Sequence, residues 1–129
     1  MGQNGGVSTP PIGPYSPVVE AGPWLVVSGQ LGARDGALVP GGAGAQTAQA
    51  IANLAALLAE HGASLTDVVK TTVFMTDISW FAEVNEAYVA GFGGHRPARS
   101  AVAVAGLPLG ASVEVEAWAY PARGGAAQA

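Results

Sequence analysis

No cysteine occurs in the 129-residue chain. That excludes disulfides, thiolate metal ligation and a cysteine nucleophile, and it fits a reducing cytoplasm. Histidine is almost as scarce: His61 and His95 are the only two, too few for a zinc site once sulfur ligands are absent. Charge is thin as well. Asp, Glu, Lys and Arg make up 11% of the chain, five residues are basic, and the net charge is −4. Nucleic-acid binding draws on clustered Lys and Arg that neutralise phosphates. Five scattered cations make no such patch, so no nucleic acid is expected as a partner. Long apolar runs are missing too, because Gly, Pro or polar residues interrupt every hydrophobic stretch short of a membrane span. The first residues lack the basic-then-apolar order of a secretory signal, and Gly6 stands where a myristoylation signal needs Ser or Thr. The expected setting is cytoplasmic, with no membrane partner.

What the chain has in plenty is small and apolar: 50% of it is hydrophobic, with 19 glycines. Its length suits one domain over residues 1–129, with loose ends at 1–11 and 123–129. A domain this small has much surface for its volume, and a surface so poor in charge leaves apolar residues uncovered. A subunit interface is the expected cover.

Val18–Glu20 and Trp24–Gln30 read as short strands around the turn Ala21-Gly22-Pro23, and Asp35-Gly36 marks a tight turn before Ala37-Leu38-Val39. Gln46 to His61 reads as a helix. Ile51, Leu54, Leu57 and Leu58 recur at helical spacing, and Gly62 sits where a left-handed cap belongs. Asp67–Thr76 reads as a strand with Val69, Thr71, Val73 and Met75 on one side. A second helix runs from about Ser79 to Tyr88, capped by Asp77 or Ser79, with Phe81, Val84 and Tyr88 inward. Two strands close the chain, Arg99–Ala105 and Ser112–Tyr120. In the last, Val113, Val115, Ala117 and Ala119 oppose Ser112, Glu114, Glu116, Trp118 and Tyr120. This order predicts an α+β fold, a sheet with two helices on one face. The other face is too apolar for water and calls for another subunit. Phe74, Phe81 and Phe92 read as packing residues, His61 as a helix end, and His95-Arg96 as a solvated loop.

Several short stretches, taken in order, resemble the RidA (YjgF) family. They are Ile12-Gly13-Pro14-Tyr15-Ser16, Val27-Ser28-Gly29-Gln30, Gln46-Thr47, Val69-Lys70-Thr71-Thr72-Val73, Val84-Asn85-Glu86-Ala87-Tyr88, Pro97-Ala98-Arg99-Ser100 and Val113-Glu114-Val115-Glu116-Ala117. Each alone is weak; the ordered set spans residues 12–120. The resemblance implies a chorismate-mutase-like mixed sheet and a homotrimer with a central barrel. It also implies clefts between neighbouring subunits that bind small carboxylates. The implied activity is that of a 2-iminobutanoate/2-iminopropanoate deaminase. Such an enzyme hydrolyses reactive enamines and imines, 2-aminoacrylate and related 2-imino acids, to 2-oxo acids and ammonia, with no cofactor or metal. By position, Arg99 would bind the substrate carboxylate and Glu114 would position or activate water. Tyr15, Ser28 and Asn85 would shape the cleft, and the backbone at Gly29 and Ala101 would supply polar contacts.

The chemistry suits these residue types. An imine beside a carboxylate is already electrophilic, so the enzyme must hold the acid, steer water and manage protons. A guanidinium fork matches a carboxylate with two hydrogen bonds, and a glutamate can carry protons. A cation beside that glutamate would weaken it as a base. Each residue also has a plainer reading. Arg99 could serve a structural ion pair or anchor an interface, Glu114 could be a barrel-facing carboxylate kept solvated or paired, and Tyr15 could pack at an interface. Ser28 could satisfy local backbone, Asn85 could pack or cap, and Gly29 could be a bulge glycine. Two departures stand out: Ala101 where many deaminating members carry cysteine, and Arg96 where an aromatic often precedes the proline. Two rival functions remain open, a non-catalytic carboxylate-binding trimer (a sensor or chaperone-like scaffold) and an endoribonuclease or translation inhibitor.

Overall fold

A computed structural model describes residue 11 and residues 13–121. Ile12 of the first motif and the expected loose ends, Pro11 excepted, lie outside the described residues. Strand β1 (Val18–Ala21) turns through Gly22, at φ 59°, into β2 (Trp24–Leu31). A small ribbon of β3 (Ala33–Arg34) and β4 (Ala37–Leu38) follows, joined by Asp35-Gly36 at φ 56° and 84°. Two consecutive left-handed residues are what a type I′ hairpin needs, and Asp-Gly supplies them. Helix α1 (Gly42–Glu60) leads to β5 (Val68–Met75), then a single tight turn at Ile78–Trp80 and helix α2 (Phe81–Phe92). Asp77 starts that turn by accepting the Ser79 N–H at 2.9 Å, the cap expected from sequence. Strands β6 (Ala98–Ala103) and β7 (Val113–Ala119) complete the chain. The main sheet has the order β1-β2-β7-β5-β6, with β5 and β6 parallel and every other neighbour antiparallel. The parallel pair follows from α2, which carries the chain back across the sheet.

Helix α1 starts four residues before Gln46, through a glycine-rich segment with no helical signal of its own. Glu83 of α2 supplies the reason: its carboxylate accepts the Gly44 N–H at 2.8 Å, satisfying an otherwise orphaned donor of the first turn. The other end closes as the sequence predicts. Gly62 is left-handed at φ 74°, Gly62 N–H reaches Ala59 O at 3.1 Å, and Ala63 N–H reaches Leu58 O at 2.9 Å. His61 caps this end, and its Nδ1 lies 2.9 Å from Glu20 Oε2 on β1.

Both helices lie on one face of the sheet. The core there is built from Leu54, Leu57, Leu58 and Ile51 of α1, Val84, Tyr88 and Phe92 of α2, and the inward stripes of β2, β5 and β7. Leu54 is fully buried, and its truncation to alanine would cost about 2–5 kcal/mol. One expected inward residue is not there: Val69 is 42% exposed, and Val68 takes the core position. A register shift between Val68 and Lys70 inserts one residue, and a period-2 pattern flips face at such a bulge. The final strand behaves as read, with Val113, Val115, Ala117 and Ala119 fully buried.

The far face of the sheet is uncovered by any described element. In register across it lie Val19, Val26, Trp118 and Lys70, then Glu116 with Thr72, then Glu114 with Phe74. Trp24 stacks on Tyr120 with ring centroids 5.0 Å apart and meets Trp118 edge-on at 6.2 Å. Trp118 is 45% exposed.

Candidate active site

The residues singled out from sequence fall into two groups on opposite sides of the sheet. On the open side, Tyr15, Ser28, Gly29 and Glu114 line one cleft of about 330 Å³, together with Leu31, Pro108 and Glu116. The cleft exists because β2 bulges. Its pairing with β7 shifts between Val27 and Gln30, so Ser28 and Gly29 leave the regular ladder. Ser28 ties the preceding loop to this bulge: its Oγ donates to Ser16 O at 2.6 Å, and its N–H donates to Pro17 O at 2.9 Å. That contact is the backbone-satisfying role weighed from sequence. It also holds Tyr15 at the cleft, where the residue is 44% exposed.

Gly29 is a bulge residue with a second duty. A Cβ there would lie 2.6 Å from both Cδ and Oε2 of Glu114, so only glycine lets the carboxyl group rest against β2. Glu114 is half-buried, and among the described residues no donor bonds its oxygens. Burial pushes its pKa up from the ordinary value, and the neighbouring Glu116 carboxylate pushes it further the same way. The cation expected to make it a weak base is not beside it within one protomer.

That cation is on the helix side. Arg99 on edge strand β6 pairs in register with inward-facing Thr71 and donates from a guanidinium nitrogen (Nη1) to Asn85 Oδ1 on α2 at 2.8 Å. Its guanidinium carbon lies 4.8 Å from the Tyr88 ring centroid and 5.6 Å from that of Phe81. Phe81 is therefore not a core residue. It is 41% exposed, at the rim of the arginine. Arg99 is half-buried, and among the described residues no carboxylate of the same protomer pairs with it. Ala101, two residues along β6, is partly buried against the core. Sequence reading missed Phe81 and Tyr88 as neighbours of Arg99. Their signal was there in the spacing of positions 81, 85 and 88, which puts one face of a helix under the arginine.

The loop before β6 is more fastened than expected. His95 Nε2 lies 2.7 Å from Val68 O, and Arg96 donates to Gly93 O and to His95 O. The bulge at Val68–Lys70 and this contact explain why a segment that reads as solvated is held. No group of three or more His, Cys, Asp or Glu capable of holding a metal occurs among the described residues, and no helix there is long and apolar enough to cross a membrane.

Glu114 aligns with Phe74 and Phe74 with Val102, so Arg99, three residues from Val102, stands with its Cα roughly 14 Å from that of Glu114. An odd number of residues along a strand also reverses the face. Inside one protomer the two side chains point away from each other.

The family model described as Endoribonuclease L-PSP matches residues 6–121. The chain belongs to this family, the RidA (YjgF) family. Among RidA-family relatives, the rat protein named 2-iminobutanoate/2-iminopropanoate deaminase is 46% identical over 108 residues, covering 82% of this chain and 79% of the rat protein. A RutC family protein of Pyrococcus abyssi is 46% identical over 112 residues, covering 85% of this chain and 88% of that protein. The crystal structure of RidA from the Antarctic bacterium Psychrobacter superposes with a TM-score of 0.85 at 40% identity, covering 91% of this chain and 96% of that one. Escherichia coli TdcF with bound serine superposes at 0.84 with 34% identity, covering 91% and 95%.

Proposed function

We propose that this protein hydrolyses reactive 2-imino acids and their enamine tautomers, such as 2-aminoacrylate, to 2-oxo acids and ammonia. The site is completed between protomers of a homotrimer. One observation carries the reading. A half-buried arginine without an acidic partner and a half-buried glutamate without a donor sit on opposite faces of one sheet, so only a second copy can bring them together. The deaminase name borne by the rat relative supports the reaction class, and the serine bound by TdcF supports a small carboxylate as ligand.

In the assembled site, Arg99 grips the carboxylate with the guanidinium N–H groups that Asn85 leaves free. Water, aimed by the neighbour's Glu114, adds to C2. The substrate reacts as its protonated imine, which the enamine gives by taking a proton at C3; a C–O bond forms and the C=N π pair moves onto nitrogen. Glu114 accepts a proton from that water and returns one to the nitrogen, the C–N bond breaks, and loss of the hydroxyl proton closes the carbonyl. The products are the 2-oxo acid and ammonium. In the assembled site the Arg99 cation opposes the effect of burial and Glu116 on Glu114, so aiming the water matters as much as taking its proton. Backbone polar groups at Gly29 and Ala101 complete the hydrogen bonding.

Complementation tests this. At substrate near the wild-type KM, Arg99→Ala and Glu114→Gln are each expected to keep only a small residual activity alone, through a raised KM and a lowered kcat respectively. Trimers refolded from an equal mixture should recover about a quarter of wild-type activity, since one shared cleft in four receives both intact side chains. No recovery, in mixtures shown by mass to form mixed trimers, would defeat the shared site.

A further inference from the structure

The hydrolysis just described uses Arg99 but leaves unexplained how an arginine on an edge strand is kept aimed. Beneath it lies a buried pair with no other assigned role. Thr71 is fully buried on β5, in register with Arg99, and its Oγ1 lies 2.7 Å from the Tyr88 hydroxyl. Tyr88 is 4% exposed, so that hydrogen bond fixes a ring already held by the core. The ring face then stands 4.8 Å from the guanidinium carbon. Such a face is electron-rich and attracts a cation most where water is excluded. Asn85 fixes one nitrogen of the same guanidinium at 2.8 Å. One hydrogen bond leaves the group free to swing about that contact, and a ring beneath it removes the swing.

We propose that Tyr88, through the ring that the core holds beneath the guanidinium, is a positioning residue that sets the carboxylate affinity of Arg99. This rests on the reading of Arg99 as the carboxylate-binding group. The ring touches no reacting atom, and its effect passes entirely through the guanidinium. The carboxylate is gripped equally in the ground and transition states, so losing the ring should raise KM and spare kcat.

The experiment is steady-state kinetics on the full-length protein with 2-iminobutanoate generated in situ, together with inhibition by 2-oxobutanoate. In Tyr88→Leu, which keeps an apolar core residue but removes the ring, KM and the inhibition constant should both rise about tenfold while kcat stays within about twofold. Tyr88→Phe, which retains the ring face, should stay within about threefold of wild type. In an Arg99→Ala background, Tyr88→Leu should add nothing, because the effect it removes is already gone. An unchanged KM in folded Tyr88→Leu overturns the proposal, as does a Tyr88→Phe defect equal to that of Tyr88→Leu. If Tyr88→Leu does not fold, a polyfluorinated phenylalanine placed at position 88 keeps the ring's shape but removes the negative face. KM must rise there too, and an unchanged KM overturns the proposal. If Arg99→Ala itself leaves KM unchanged, the fault lies in the assignment of Arg99. If Arg99→Ala raises KM and Tyr88→Leu does not, only the positioning role fails.

Discussion

Replacing Gly29 by alanine tests the geometry of the glutamate half-site with a single methyl group. The new Cβ would fall 2.6 Å from Cδ and Oε2 of Glu114 and 2.9 Å from its Cγ, where ordinary contact begins at 3.4 Å. The carboxyl group must therefore retreat by about 0.8 Å, the difference between 3.4 and 2.6 Å. It can do so, because the clash involves the end of a flexible side chain, and Gly29 is not among the left-handed glycines. The fold should tolerate the change, with a melting temperature within a few degrees of wild type. Catalysis should not tolerate it: a misplacement near 1 Å at a reacting centre costs on the order of a hundredfold in rate. The assay is imine hydrolysis, with the imine formed in situ by an amino-acid oxidase, read as kcat and KM separately. Because Gly29 borders the cleft, a methyl group there could instead obstruct substrate. Obstruction raises KM and persists in a Glu114→Gln background, whereas displacement of Glu114 lowers kcat and adds little once Glu114 is gone. A kcat within twofold of wild type in Gly29→Ala would refute the claim that the placement of this carboxyl group matters.

Other outcomes follow from the same geometry. Arg99→Lys keeps the charge but loses the planar fork, so KM should rise by about tenfold or more in the same assay. The folded protein holds the Glu114 proton more tightly than the unfolded chain does, since its pKa is raised from 4.5 by burial and then by Glu116. Glu114 therefore weakens the fold as pH climbs through the folded value. Thermal melts should show Glu114→Gln more stable than wild type near pH 7, with the gap closing below pH 4.5, the ordinary value. Trp118→Arg puts a charge on the uncovered face, and sedimentation should show weaker assembly, with activity lost on dilution. RNA incubated with the wild-type protein should remain intact across salt concentrations, since five basic residues give little phosphate affinity.

Local pattern determined most of the fold. Helical spacing at Ile51, Leu54, Leu57 and Leu58 located α1, Gly62 ended it, Asp35-Gly36 closed a hairpin, and strict alternation from Val113 to Ala119 sorted the last strand into two faces. These signals lie within a few residues of one another, so no distant contact is needed to read them. Sequence also supplied the candidate site residues, through the ordered motifs that resemble the RidA family. Tertiary structure decided what depends on residues far apart. The bulge at Val68–Lys70 turned Val69 outward, because ladder registration is settled between strands and not within one. Glu83 extended α1 through a glycine-rich start by bonding Gly44, 39 residues away. Phe81 became the flank of Arg99 because α2 crosses behind β6, and position 29 has no room for a Cβ because Glu114 arrives there from another strand. The separation of Arg99 from Glu114 could be seen only in the assembled sheet. Which face a side chain takes depends on a register that the linear order of residues does not carry.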